Sequence, residues 1–176
     1  MTRDLPSALS GERFDFASPA GRLSAYITGQ GSPLLLIHSV NTAASAAEVR
    51  PLHEHYRATL TVLSVDLPGY GFSDRSDRDC TPRLMTDAIH AAAEQMRARC
   101  GPAPIDALAV SLSCEFLARA GAEAPDTYRS VARVSPTGFR GLQPCVVRPA
   151  VRAVCPGCTR RCGDPVRAGE APCSVH

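Results

Sequence analysis

The chain has 176 residues, the usual size of one domain, and a compact domain of this length buries about 70% of its unfolded surface. Its net charge is only +2, and its 19 basic residues are all arginines scattered among 17 acids, which excludes a concentrated nucleic-acid-binding patch. Residues 1–12 have no signal-peptide-like apolar run, and no stretch is long enough to span a membrane. We therefore expect a cytoplasmic protein without nucleic-acid or membrane partners.

The first predicted elements are strands. Residues 13–17 and 23–27 alternate apolar and polar side chains around a turn at residues 19–21, which predicts an antiparallel hairpin. Residues 34–37 are a continuous apolar run, typical of a strand that is covered on both faces, and residues 60–66 are predicted as the next buried strand. The chain therefore begins with a hairpin and continues into buried strands.

Two helices are predicted between these strands and the middle of the chain. Residues 46–56 have a helical pattern that Pro51 interrupts or restarts. For the second helix, Thr81 can cap the amino terminus, Pro82 suits the first helical position, and Gly101 ends the apolar periodicity.

A strand, a sharp turn and a helix follow in direct succession. The apolar run of residues 105–110 ends at Ser111, a helical pattern covers residues 112–121, and a short strand is predicted at residues 130–135. Strands that alternate with helices favour an α/β fold with a mostly parallel sheet and helices on both faces.

Ser111 is the candidate nucleophile. Small residues, Ala109 and Ser113, stand two positions before and after it, and this spacing allows a cramped turn that exposes the serine hydroxyl. The usual form of the turn is G-x-S-x-G, and both glycines are replaced here. The alternative interpretation of Ser111 is an ordinary helix N-cap.

Four stretches resemble the α/β-hydrolase family, in the order of that family: residues 34–38, 65–74, 109–113 and 133–136. The second stretch is the most specific, because Asp66 to Ser73 reproduces the D-x-P-G-x-G-x-S turn. The resemblance runs from Phe14 to Gly141. It implies an incomplete α/β-hydrolase core over residues 1–140, cut off after about the sixth strand, and a serine hydrolase activity with no cofactor.

The resemblance also implies an oxyanion hole made of backbone N–H groups. These groups match Leu112, directly after the nucleophile, and Val40, in the loop after the third strand. Most family members have His-Gly in that loop, whereas this chain has His38-Ser39-Val40-Asn41. We interpret His38 as a residue that shapes the loop rather than as a base.

The acid and the histidine of a catalytic triad are not evident. His53, His55 and His90 all precede Ser111 on helical segments, where we expect surface residues. Asp164 and His176 have the family's order, but no buried strand precedes either of them. Because loss of a triad member costs about a thousandfold to a millionfold in turnover, we expect an impaired enzyme.

Residues 141–176 form a tail of different composition, rich in cysteine, arginine and proline. The leading hypothesis is that the reading frame is lost near residues 139–142, so that the tail is out-of-frame translation. The alternative is a zinc site made by Cys155, Cys158, Cys173 and His176, with Cys162 as a substitute ligand. A disordered or disulfide-linked tail is the third possibility.

Two functions from different classes follow from these patterns. The first is a serine hydrolase that cleaves an ester, thioester or similar acyl bond of a small molecule through Ser111. The second is a non-catalytic, hydrolase-like fragment or binding protein whose cysteine-rich tail binds zinc or a partner.

Overall fold

Six strands form one sheet in the computed structural model, which describes residues 7–138. They are β1 (Glu12–Ser18), β2 (Gly21–Thr28), β3 (Pro33–Ile37), β4 (Thr61–Asp66), β5 (Ile105–Val110) and β6 (Tyr128–Val134), in the spatial order β1-β2-β4-β3-β5-β6. The pairs β1–β2 and β2–β4 are antiparallel, whereas β4, β3, β5 and β6 run parallel. The predicted hairpin and mostly parallel sheet are confirmed, and β6 is an edge strand of the described sheet.

Three α-helices connect these strands: α1 (Arg50–Tyr56), α2 (Pro82–Cys100) and α3 (Ser113–Glu123). A 3₁₀ turn, Ala46–Val49, precedes α1, so the predicted restart at Pro51 is confirmed, with the proline in the first turn of α1. The hydroxyl of Thr81 accepts the Leu84 N–H at 3.1 Å, and Gly101 follows α2 at φ 100°, as the sequence predicted. None of the helices in residues 7–138 is long and apolar enough to cross a membrane.

The sheet is covered on both faces because alternate strand residues point in opposite directions. Leu35 and Ile37 belong to the larger apolar cluster, together with residues of α2 and α3 such as Ile89 and Leu117. Leu34 and Leu36 belong to a second cluster on the opposite face, with Val49, Leu52 and Tyr56 beside them. Burial of each large aliphatic side chain stabilises the fold by about 1.5–3 kcal/mol, so both clusters hold the strands in place.

The carboxyl ends of the four parallel strands meet at one edge of the sheet. His38 follows β3, Asp66 ends β4, Ser111 follows β5, and Ser135 follows β6. This edge is the common position of ligand sites in open α/β sheets. The fold therefore brings together the segments that the sequence marks as distinctive.

At the end of β4, the side chain of Asp66 is buried and fully engaged with the backbone. One carboxylate oxygen accepts the Ala46 N–H at 2.7 Å, and the other accepts the Phe72 N–H at 3.0 Å. The hydroxyl of Ser73 donates to the Asp66 carbonyl at 2.6 Å and accepts the Ser24 N–H at 2.9 Å. The most specific motif of the sequence, Asp66 to Ser73, thus has a structural role, because its side chains bind backbone groups of neighbouring segments.

The prediction that His53 lies on the surface is wrong. Its side chain is buried, with Nδ1 2.8 Å from the Ser64 hydroxyl and Nε2 3.1 Å from the carbonyl oxygen of Ser10. The amphipathic turn that carries it packs onto β4, and a short helix offers too little periodicity to show which face is buried. His55 is exposed as predicted, and His90 is partly exposed.

Candidate active site

The turn at Ser111 has the cramped backbone that the sequence predicted. Ser111 has φ 55°, in the left-handed region that side chains other than glycine rarely adopt. Its N–H donates to the Val134 carbonyl at 2.9 Å, and its own carbonyl accepts the Cys114 N–H at 3.1 Å. Ala109 and Ser113 are fully buried, so the turn depends on small side chains at both positions.

The hydroxyl of Ser111 lies 3.3 Å from the hydroxyl of Thr137, and the Thr137 N–H donates to the Ser111 carbonyl at 3.3 Å. This is long for a hydrogen bond between hydroxyl groups, so the contact is weak. Thr137 belongs to the loop after β6, and sequence reasoning missed it. The order of parallel strands was the available signal, since residues after β6 lie beside those after β5.

The two expected oxyanion donors are backbone N–H groups of Leu112 and Val40. Neither group hydrogen-bonds to another residue within residues 7–138. Leu112 precedes α3 directly, where the helix dipole favours negative charge. The Ser113 hydroxyl donates to the His38 carbonyl at 2.6 Å, and this bond links the start of α3 to the loop that carries Val40. The fold therefore brings both segments to the same edge of the sheet.

Glu48 holds the loop after β3, and sequence reasoning missed this role as well. Its carboxylate accepts the Ser39 N–H at 2.6 Å and the Ser39 hydroxyl at 2.8 Å. The side-chain amide of Asn41 donates to the same hydroxyl at 2.6 Å and accepts the Ala43 N–H at 3.0 Å through its oxygen. The Ser39 N–H is thus occupied, which leaves the next N–H, that of Val40, as the donor of this loop.

His38 is engaged at both ring nitrogens. Its Nδ1 lies 2.6 Å from the Ser39 carbonyl, and its Nε2 accepts the Leu67 N–H at 3.0 Å. These partners assign the proton to Nδ1. Burial lowers the pKa of His38, although the Ser39 carbonyl and the carboxylates of Asp66 and Glu48 act in the opposite direction. This neutral, fully bonded ring agrees with the predicted role in shaping the loop.

Metal binding was predicted only for the tail. Within residues 7–138, no group of three or more histidine, cysteine or acidic side chains is arranged to hold a metal ion. The zinc set Cys155, Cys158, Cys173 and His176 lies outside the described residues, as do the alternative ligand Cys162 and the pair Asp164 and His176.

No family profile matches the chain, and no curated protein is similar to it in sequence. Solved structures are similar in fold. A deformylase from Pseudomonas putida is 23% identical at a TM-score of 0.62, over 71% of this chain and 47% of that protein. An α/β-hydrolase fold protein from Burkholderia ambifaria is 24% identical at a TM-score of 0.62, over 74% of this chain and 45% of that protein. An epoxide hydrolase from Vigna radiata is 15% identical at a TM-score of 0.65, over 77% of this chain and 42% of that protein.

The described part of the chain therefore has the α/β-hydrolase fold, and the fold predicted from the sequence is confirmed. The chain spans less than half the length of each of these three structures. The names of the deformylase and of the epoxide hydrolase denote different reactions, and one fold hosts many activities, so the fold does not determine the reaction of this chain.

Proposed function

We propose that the chain is a serine hydrolase that cleaves an ester, thioester or similar acyl bond of a small molecule, with Ser111 as the nucleophile. The observation that supports this proposal is the left-handed backbone of Ser111 at the carboxyl end of β5. A left-handed residue other than glycine costs about 1–2 kcal/mol. Strain of this kind is concentrated at functional sites, where it orients a reactive group.

In the proposed reaction, the Ser111 hydroxyl oxygen attacks the acyl carbon and a new C–O bond forms. The carbonyl oxygen gains the negative charge, and the N–H groups of Leu112 and Val40 donate to it. The bond to the leaving group then breaks, and the leaving group takes up the proton that the Ser111 hydroxyl gives up. Water hydrolyses the acyl-serine, which restores the serine hydroxyl and releases the carboxylic acid. Because both donors are fixed by the backbone, they stabilise the transition state without reorganisation.

We propose that this acylation is slow in the chain as given. Within residues 7–138, the hydroxyl of Ser111 contacts Thr137, and no histidine hydrogen-bonds to it. A serine hydroxyl is a weak nucleophile until a base accepts its proton. We further propose a cytoplasmic location and no cofactor, since the reaction needs only side-chain and backbone groups.

The second candidate is a non-catalytic, hydrolase-like fragment or binding protein. The contact between Ser111 and Thr137 favours it, because the described partner of the serine hydroxyl is another hydroxyl group, which does not act as a base at neutral pH. In this interpretation, zinc or a protein partner binds to the cysteine-rich tail.

A fluorophosphonate probe separates the two candidates, because it forms a covalent bond with activated serines. We expect labelling of the full chain to disappear in Ser111→Ala and to persist in Ser76→Ala, which removes an exposed hydroxyl in the loop between β4 and α2. Labelling that persists in Ser111→Ala contradicts the assignment of the nucleophile. If the folded wild type is not labelled, the hydrolase proposal fails; bound equimolar zinc that is lost in Cys155→Ser then supports the second candidate.

A further inference from the structure

Ser113 stands where the G-x-S-x-G pattern has its second glycine, and its hydroxyl has a specific partner. It donates to the carbonyl oxygen of His38 at 2.6 Å. Ser113 and His38 are both 0% exposed, so water does not compete for this bond. Loss of the donor leaves a buried carbonyl without this partner, which costs more than the loss of a hydrogen bond that water can replace.

The bond connects two segments that are far apart in the sequence. Ser113 is the first residue of α3 and directly follows Leu112, whereas His38 precedes the Ser39-Val40 segment. The other side-chain bonds of the loop lead elsewhere. Ser39 is held by Glu48, and the His38 ring is held by the Leu67 N–H. Among the described side-chain hydrogen bonds, that of Ser113 is the one that joins the loop to α3.

We propose that Ser113 is a positioning residue that sets the Val40 N–H against the Leu112 N–H. This inference rests on the proposed function, since it concerns the oxyanion hole of that reaction. In the loop after β3, Val40 and its neighbours lack the glycine that the resemblance leads one to expect. The hydroxyl at position 113 supplies a fixed link between the loop and α3, so this serine contributes through its hydrogen bond as well as through its small size.

The proposal predicts a specific kinetic effect. An oxyanion hole acts on charge that develops in the transition state, so its distortion lowers the rate of the bond-forming step more than it weakens initial binding. Loss of a whole oxyanion donor costs about a hundredfold to a thousandfold. For a displaced donor we expect a smaller loss, about tenfold to a hundredfold in the maximal rate of fluorophosphonate labelling, with the half-saturating probe concentration changed by less than about threefold.

The test compares Ser113→Ala with a matched control, Ser64→Ala, in the full chain. Ser64 is equally buried, and its hydroxyl lies 2.8 Å from Nδ1 of His53 under α1, away from the candidate site. Both variants lose one buried hydroxyl, and thermal unfolding shows whether their losses of stability match. A second variant, Ser113→Gly, restores the usual glycine of the pattern. We expect it to label as slowly as Ser113→Ala because the hydroxyl is also missing.

Slow labelling of both Ser113 variants, beside wild-type labelling of Ser64→Ala, supports the proposal. Equal labelling of Ser113→Ala and Ser64→Ala overturns it, and so does full labelling of Ser113→Gly.

If the wild type itself is not labelled, the proposed function fails. Amide hydrogen exchange of residues 38–41 then tests only whether the Ser113–His38 hydrogen bond holds the loop in place. Faster exchange in Ser113→Ala than in Ser64→Ala retains Ser113 as a positioning residue of the loop, and equal exchange removes that role too.

Discussion

Two turns at the same edge of the sheet both require a positive φ, but they place different residues at that position. The Asp66 turn, residues 66–73, adopts positive φ at glycines, with 86° at Gly69 and 49° at Gly71. The Ser111 turn, residues 109–113, adopts 55° at Ser111 itself. In the Asp66 turn both carboxylate oxygens accept backbone N–H groups, whereas the Ser111 hydroxyl has one contact, at 3.3 Å, within the described residues. The Asp66 turn is therefore unstrained and its carboxylate is fully hydrogen-bonded, whereas the Ser111 turn is strained and its hydroxyl is weakly bonded.

This difference explains why the clearest motif is not the candidate reactive site. Three positions of the Asp66 turn are restricted by close contacts, those of Asp66, Gly71 and Ser73, so few residue types fit there and the pattern is easy to identify. The Ser111 turn requires only small side chains around one serine, and alanine or serine satisfy that requirement as well as glycine does. A distinctive motif therefore marks the scaffold here, and a degenerate motif carries the proposed chemistry.

The largest expected effect concerns Gly71. A Cβ atom at this position would overlap the carboxylate of Asp66, whereas a Cβ atom at Gly69 would meet nothing within 4 Å. Both glycines have positive φ, so Gly69→Ala measures the backbone cost alone, about 0.5–1 kcal/mol after the greater flexibility of glycine in the unfolded chain is subtracted. We expect Gly71→Ala to lower the free energy of unfolding by about 2–3 kcal/mol more, because of the overlap and the displaced carboxylate. Urea denaturation measures both variants; equal losses would mean that the Asp66 turn is not rigid.

An intermediate effect concerns pH, through His38, which bonds to both turns. Burial lowers the pKa of His38 in the folded state, so the unfolded chain binds a proton more readily. The resulting stability is complete above about pH 6.5 and is lost as pH falls from there towards the folded pKa, by at most about 1.4 kcal/mol per pH unit for each such histidine. His53, whose pKa burial also lowers, adds to the same slope.

Unfolding measured between pH 7.5 and 5 tests this expectation. Carboxylates with a lowered pKa affect stability only at pH values below this interval. Glu123 is an example, because hydrogen bonds from Arg83 and His90 lower its pKa to about 2. We expect His38→Gln to flatten the slope partly and His55→Gln, at an exposed site, to retain it. A wild-type stability that stays constant over this interval would contradict the buried, neutral state of His38.

The smallest expected effect concerns the strain at Ser111. Ser111→Gly and Ser111→Ala both remove the hydroxyl, but only glycine adopts φ 55° without steric cost. We expect the glycine variant to be more stable than the alanine variant by about 0.5–1 kcal/mol. At Ser76, which does not have a positive φ, the same pair should give the opposite order. An alanine variant of Ser111 that is as stable as the glycine variant would show that the turn stores no strain.

Local patterns in the sequence determined the succession of strands and helices along the chain, the restart at Pro51, the Thr81 cap and the turn at Ser111. These features depend on periodicity, on proline and glycine, and on small side chains within a few residues, so they can be predicted from neighbouring positions. The alternation of strands and helices then predicted the mostly parallel sheet, which the structure confirms.

Only the tertiary structure decided which polar groups face each other. Packing of distant segments determines the contact of Thr137 with Ser111, the hydrogen bonds of Glu48 to Ser39 and the burial of His53. Ser113 is the clearest case. The sequence showed that it is small, but its hydroxyl acquires a function through a carbonyl group 75 positions earlier, which the pairing of β3 with β5 brings within 2.6 Å of it. Size is a local requirement, whereas the partner of a hydrogen bond is fixed by the fold.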